Sequence, residues 1–301
     1  MVFVQTNHGL TSSQHALASH PCGLIWRQNT LVVKETSQSN PHLLSLQDSG
    51  RIVACLQRSP IAIVKLDPTL SEDTLMVWAE ACKLAGKQAF LRLPGTFDLP
   101  HKRAKLTWGL KCLFDRFAAA TLLVLLSPLL LGLALLIKVT SPGTIFFTQW
   151  RVGKRGKLFQ VFKFRSMVVG AERFHHQLMH NQPGLHKLEQ DPRLTQVGCW
   201  LRQYSLDELP QLINVLRGEM SLVGPRPWAL YDAVRVSPLL RHRLNALPGM
   251  TGKWQVEMRS QRDIDIVNRS DLDYLRTWSP LQDLKILLLT IPKVLSKFGA
   301  Y

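Results

Sequence analysis

The sequence is short of acids and lacks patterned cysteine. Its 301 residues hold 21 aspartates and glutamates against 37 lysines and arginines, a formal net charge of +16. A deficit of negative charge that large points to a polyanionic partner: nucleic acid, an anionic membrane face, or phosphorylated substrates. The five cysteines (Cys22, Cys55, Cys82, Cys112 and Cys199) fall in no CxxC or Cys/His spacing. That argues against a zinc site or a disulfide scaffold and fits a reducing, cytosol-facing chain. The opening MVFVQTNHGLTSSQH has no basic stretch followed by an apolar run, so no signal peptide is expected. Internal repeats and low-complexity tracts are missing too. No zinc finger, RNP motif or helix-turn-helix spacing is evident. The basic residues crowd an apolar segment and an acidic pair instead, so no nucleic-acid partner is expected.

Residues 1 to about 50 carry weak structural signals. From Arg51 the pattern sharpens. RIVACL and IAIVKL read as short buried strands. SEDTLMVWAEACKLAG reads as a helix with Ser71 as its N-cap and Gly86 as its stop. QAFLRL reads as another strand. The expectation is a small soluble α/β module over residues 1–100, with a vague likeness to STAS modules that no motif secures. LPGTFDLPHKRAK, residues 93–105, reads as a linker entering a basic patch.

Ala118 to Ile137 is a run of 20 residues without a charge. At 1.5 Å per residue it matches the ~30 Å of a bilayer core. Two features argue against a simple crossing. Ser127-Pro128 sits at its middle, where proline deletes a backbone hydrogen bond and kinks the helix. Both flanks are basic: Lys102, Arg103, Lys105, Lys111 and Arg116 before; Lys138, Arg151, Lys154, Arg155 and Lys157 after. Each flank favours the cytoplasmic side. A re-entrant membrane helix over about 113–138 satisfies both, with the Ser127 hydroxyl as a partner for a freed carbonyl. DLKILLLTIPKVLSKF, residues 283–298, reads as a core helix or one lying in the membrane interface; its spaced lysines favour the interface.

GTIFFTQWRVGKRGKLFQVFKFRSM reads as a β-hairpin around Gly153-Lys154-Arg155-Gly156. Alternation puts Lys163 and Arg165 on one face of its second arm. Such a face binds phosphate or is simply solvated. The stretch RQYSLDELPQLINVLRGEMSLVGPRP holds Asp207 and Glu208. One reading is a capping box, in which Ser205 caps a helix and Glu208 reaches back. The other is phosphoryl chemistry, in which one carboxylate attacks phosphorus and its neighbour holds a divalent cation. Arg193, Arg202, Arg217, Arg226, Lys163 and Arg165 are the cations available to neutralise a diphosphate. Gly224-Pro225-Arg226-Pro227 is a rigid turn that would fix a guanidinium, and Gly249 and Gly252 mark a loop where backbone could approach a ligand. His175, His176, His180 and His186 match no metal spacing and read as a solvated helix face. Asp271 and Asp273 read as surface or cap residues.

From Lys105 to Tyr301 the chain resembles the bacterial sugar transferases called monotopic phosphoglycosyl transferases. FDRFAA, SPLLL, TIFFTQWRVGKRGKLFQVFKFRSM, DPRLTQVGCWLRQYSLDELPQLINVLRGEMSLVGPRP, LPGMTGKWQV and DLKILLLTIPKVLSKFGAY carry the likeness. It implies a mixed α/β fold: a helix-rich, membrane-associated catalytic domain over residues 101–301, at the cytoplasmic face of the bacterial plasma membrane. It implies attack by Asp207 on the β-phosphate of a nucleotide-diphosphate sugar, usually a UDP-sugar. A phosphosugar-aspartyl intermediate would then pass to polyprenol phosphate, starting exopolysaccharide or other surface glycan synthesis. Glu208 would hold Mg²⁺. Lys163, Arg202 and Arg259 match basic positions of the family's site, and Pro225-Arg226-Pro227 its uridine and phosphate loop. The loop after WQV departs from the family's Gly-Arg turn and reads Glu257-Met258-Arg259. The alternative is an inactive membrane-anchored scaffold among polysaccharide assembly proteins. The intact acidic pair speaks against it.

Overall fold

The computed structural model describes residues 22–35, 49–93, 105–174, 191–235, 238–258 and 263–296. Mixed α/β architecture is divided into two compact units, Met1–Lys87 and Gln88–Tyr301. In the first, β1 (Cys22–Arg27) and β2 (Thr30–Glu35) form an antiparallel hairpin. Gln28 makes its turn with a positive φ of 49°. These strands lie where the sequence signalled little. β1 buries no residue fully, so it has no clean apolar alternation. β2 pairs in parallel with β3 (Ile63–Leu66).

RIVACL is a correction: it lies in helix α1 (Ser49–Arg58), not in a strand. Ile52 and Leu56 are buried while Ala54 is exposed. A spacing of four satisfies both the strand and the helix period, and six residues are too few to separate them. α2 (Glu72–Leu84) follows the expected bounds. Ser71 accepts from the Thr74 N–H, and Gly86 ends the helix at φ +69°.

The second unit begins with β4 (Gln88–Leu91), whose Phe90 bridges Lys157. Then come α3 (Lys105–Leu125) and α4 (Ser127–Thr140), bent by 63° at Leu126. The bend has a plain cause. Pro128 has no N–H for the Val124 carbonyl, and the Ser127 hydroxyl donates to that carbonyl at 2.7 Å. The ladder continues on both sides, from Leu126 N–H to Leu122 O and from Leu130 N–H to Leu126 O. Among the described residues no single helix is long and apolar enough to cross a membrane; this bent pair passes the same test together. Phe114, Phe117, Val124, Leu125, Leu131 and Leu135 are exposed. Ala119 packs with Leu212, Val215 and Met220, and Leu133 and Ile137 pack with Phe164 and Leu201.

The expected hairpin is present as β5 (Phe146–Val152) and β6 (Leu158–Phe164). Its turn requires Gly156, whose φ is +81° and whose Cβ would lie 2.4 Å from the Leu91 carbonyl oxygen. After α5 (Gln196–Gln203), a 3₁₀ turn (Leu206–Gln211) and α6 (Leu212–Leu216) come β7 (Ser221–Val223) and β8 (Trp228–Ala229). β8 pairs with β5, giving the order β6-β5-β8. Next are α7 (Leu230–Arg235), a 3₁₀ segment (Pro238–Asn245), and β9 (Gly249–Thr251), which is parallel to β7. α8 (Lys253–Glu257), α9 (Ile264–Thr277) and α10 (Pro280–Leu295) complete the unit. α10 buries Ile286 and exposes Leu281, Leu284, Leu288, Ile291 and Leu295. Their spacing of three and four makes one apolar stripe.

A buried lysine ties these parts together. Lys111 Nζ, on α3, donates to Asp115 Oδ2 (2.9 Å), Ser221 Oγ (2.6 Å) and the Val223 carbonyl (3.1 Å). It also pairs with Asp283 Oδ2 at 3.1 Å. Ser221 Oγ donates in turn to Asp115. Tyr274 Oη and Trp278 Nε1 donate to the two oxygens of Asp283. Trp108 stacks on Trp278 with centroids 4.6 Å apart. α3, β7, α9 and α10 therefore share one satisfied polar centre. Lys111→Met would leave buried Asp115 and partly buried Asp283 without their cation, and such losses cost about 3–5 kcal/mol. Chemical denaturation of purified protein should show a loss of that size; an unchanged midpoint would mean the lysine does not hold α3 in place.

Candidate active site

The register of the hairpin assembles the floor of the site. Gln149 pairs with Val161 and Phe147 with Lys163, so Gln149, Arg151, Val161 and Lys163 share one face. β6 is an edge strand of its sheet. Asn214 serves its outer side, accepting from the Phe162 N–H (3.0 Å) and donating to the Gln160 carbonyl (2.7 Å). This fully buried asparagine fastens α6, and the 3₁₀ turn before it, to the strand that carries Lys163.

That turn presents the acidic pair, but not through a capping box. Ser205 lies in the left-handed region, φ 52°, and makes no side-chain cap bond. An N-cap needs extended backbone. Ser205 instead reverses the chain after α5, where its N–H bonds the Arg202 carbonyl, and leaves a 3₁₀ start for the acids. Glu208 Oε1 meets Lys163 Nζ at 2.7 Å. Asp207 is only 6% exposed, and among the described residues no cation lies within ion-pairing distance of it. Burial pushes its carboxyl up to about 6; Glu208 adds to that, and Lys163 and Arg202 oppose it.

A cleft of about 280 Å³ opens beside the pair, lined by Arg151, Lys163, Glu208, Gln211, Arg226 and Gln255, with Val161, Pro227, Gly249 and Met250. Asp207 is not on that lining. Arg226 is held by its backbone: its carbonyl accepts from Arg243 Nη2 and its N–H bonds Asp271. Its guanidinium lies over Trp254, 5.4 Å from the ring centroid. Arg243 and Asp271 form a buried ion pair, so Asp271 is a core residue and not the surface or cap residue expected. Exposed Asp273 pairs with Lys253. Pro225 lines a second, smaller cavity with Arg226 and Arg243.

Several expected cations face elsewhere. Arg165 donates to the Ser141 carbonyl and hydroxyl, both at 2.9 Å, and to the Pro142 carbonyl. It caps the C-terminus of α4, where carbonyls lack helical partners. Arg193 grips Asp191 through Nε and Nη2 (2.8 and 2.7 Å). Arg217 covers Phe162. Arg202 donates to Ser166 Oγ at 2.9 Å and still acts on Asp207. Gly249 lines the cleft, but the close approach it and Gly252 permit is to backbone: added Cβ atoms would lie 2.1 Å from Gly224 N and 2.4 Å from Gly224 O. Arg259 and the four histidines lie outside the described residues.

Sequence reasoning missed Arg151, Gln211 and Gln255 as lining residues. Alternation on β5, taken with the cross-strand register, was the signal for Arg151. The sequence placed it only among the basic flanks of the apolar run.

A family model for bacterial sugar transferases matches residues 106–297. The chain belongs to the bacterial sugar transferase family. A relative from Caulobacter vibrioides, a UDP-glucose:undecaprenyl-phosphate glucose-1-phosphate transferase, is 42% identical over 279 residues, which is 83% of this chain and 96% of that one. The undecaprenyl-phosphate galactose phosphotransferase of Salmonella typhimurium is 42% identical over 200 residues, 64% of this chain and 42% of that one. The exopolysaccharide production protein ExoY of Rhizobium meliloti is 39% identical over 202 residues, 62% and 86% of the two chains. This family member thus spans about two fifths of the Salmonella relative and nearly all of the Caulobacter one.

The raised Asp207 carboxyl has a consequence for stability. Below the ordinary value of 3.8 the acid is protonated in both folded and unfolded chains, and the shift has no effect. Above about 6 it is ionised in both, and the fold bears the full cost of a buried charge. That cost is on the order of 1–3 kcal/mol. In metal-free protein, Asp207→Asn should therefore raise the melting temperature at pH 8 and leave it unchanged near pH 3. Calorimetry at the two pH values checks this; a variant less stable than wild type at pH 8 would contradict it.

Proposed function

We propose that this sugar transferase moves a sugar 1-phosphate from a nucleotide-diphosphate sugar, a UDP-sugar, to polyprenol (undecaprenyl) phosphate through a phosphosugar-aspartyl intermediate. The observation that carries the reading is the adjacent Asp207 and Glu208 beside a cleft bearing Arg151, Lys163 and Arg226. The activities for which the Caulobacter and Salmonella relatives are named support it.

The residues divide the work. Asp207 has no cation partner among the described residues and is poorly solvated, so its oxygen is the freer electron pair. It attacks the β-phosphorus, the bond from that phosphorus to the bridging oxygen breaks, and the nucleoside monophosphate departs with the electron pair. A lipid phosphate oxygen then attacks the same phosphorus, and the Asp207 carboxylate is regenerated. Lys163 neutralises charge at the reacting phosphate and orients Glu208. Arg226, fixed by Arg243 and Asp271, serves the nucleotide's phosphates. The donor set suits Mg²⁺, which takes one or two carboxylates and completes its shell with substrate phosphate and water. Glu208 would hold it, and it would supply charge neutralisation on the diphosphate.

The bent α3–α4 pair, the basic flanks and the apolar stripe of α10 support a membrane site for this reaction. On this reading α3–α4 enters and leaves the cytoplasmic leaflet of a bacterial plasma membrane, where a lipid-borne acceptor can meet a soluble donor. The product would start exopolysaccharide or another surface glycan. Purified protein given a panel of radiolabelled UDP-sugars, Mg²⁺ and undecaprenyl phosphate should release UMP and form labelled lipid with at least one sugar. Asp207→Asn, which keeps the shape, should lower turnover on the order of 10³-fold or more. Full activity in that variant would remove Asp207 as nucleophile, and nucleotide-sugar binding without product would favour a scaffold.

A further inference from the structure

We propose that Arg151 grips the α-phosphate of the departing nucleotide, and so serves the first half of the reaction and not the second. This rests on the two-step reading above.

Several cations near the acidic pair are already committed. Lys163 is paired with Glu208, Arg193 with Asp191, and Arg165 caps α4. Arg151 and Arg226 both line the cleft, and among the described residues neither has a carboxylate within ion-pairing distance. The Arg151 guanidinium is steered by an uncharged partner: Nη2 donates to Gln149 Oε1 at 2.6 Å, two residues away on the same face of β5. That contact fixes direction without setting a carboxylate against the guanidinium. Burial lowers Arg151 from its ordinary value. Tyr231 opposes that, Arg226 reinforces it, and Asp232 and Glu208 oppose it. Two guanidinium groups close enough to repel, in one concave site, are stabilised by an anion placed between them.

The register says which anion. Lys163 is opposite Phe147, and Arg151 lies four residues further along β5. At 3.3 Å per residue that is about 13 Å of strand. Lys163 stands at the acidic pair, where the transferred phosphate must sit. Arg151 stands toward Pro227 and β8, with which it pairs through Ala229. Long side chains converging from that separation suit the two ends of a diphosphate. As the β-phosphorus is attacked, negative charge gathers on the bridging oxygen and the α-phosphate. A bidentate guanidinium there stabilises the leaving group. Once the nucleotide has gone, the aspartyl intermediate has no α-phosphate for Arg151 to hold.

The test separates the two half-reactions in the full chain, using UDP-glucose and UDP-galactose labelled in the β-phosphate. The first half is read as labelled protein and UMP released in a single turnover without acceptor. The second is read as loss of label from preformed intermediate when undecaprenyl phosphate is added. Arg151→Gln should slow the first half, and UMP exchange back into the donor, by about 10²-fold or more. It should leave the second half within about twofold. Arg151→Lys, which keeps the charge but not the fork, should fall between, and it carries the same comparison if the glutamine variant does not fold. If both halves slow alike, if only the second slows, or if neither does, the assignment of Arg151 is overturned while the two-step reading stands. If wild-type protein never acquires label, the two-step reading falls and takes this one with it.

Discussion

The second unit depends on a lysine that water scarcely reaches. Lys111 sits on α3 within a run that otherwise exposes leucine and phenylalanine, and it points into the protein. A buried ammonium is tolerable only when its donors are matched and its charge balanced. Asp115, Asp283, Ser221 and the Val223 carbonyl do both. Tyr274 and Trp278 then satisfy the Asp283 oxygens. Because the partners come from four separate elements, the matching has one geometric solution. α3 cannot slide along the body without stranding a charge. The direction in which α4 leaves the bend is therefore set from inside the second unit.

The same economy of charge governs the cleft. A net charge of +16 suggests a broad cationic surface, yet several of the cations near the cleft are committed internally. Arg165 holds the end of α4, Arg243 holds the Arg226 loop through Asp271, and Lys163 holds Glu208. These bonds place the groups that face the cleft. Arg226 is rigid because Arg243 and Asp271 clamp its backbone, and Gly224, Gly249 and Gly252 let three stretches of chain cross closely enough for the clamp to close. Asp207 is the exception. Its burial is unfavourable for a carboxylate and pushes the carboxyl up to about 6.

Legibility of the sequence varied with the length of the signal. The helix from Glu72 to Leu84, the β5–β6 hairpin and the break at Pro128 could be read in advance, because capping, alternation and a missing N–H are local facts. RIVACL could not, because Ile52 and Leu56 fit either period. The Ser205 capping box failed for a related reason. Ser-x-x-Glu specifies a cap only if the serine is extended, and here the preceding helix forces it left-handed to turn the chain.

What the sequence determined by itself was the chemistry at hand: the Asp207-Glu208 pair, an excess of cations, a long apolar run broken at Ser127-Pro128, and ordered motifs shared with the bacterial sugar transferases. Only the tertiary structure decided which cations line the cleft. Arg165 and Lys163 are two residues apart and look equivalent along the strand. One reaches Glu208, while the other lies past the end of β6 and meets the open carbonyls of α4. Arg151 reads as a flanking charge until strand register sets it on the face that carries Lys163. The reason is physical: charge is written residue by residue, but whether a guanidinium faces a carboxylate, a helix end or an open cleft depends on partners far away in the chain.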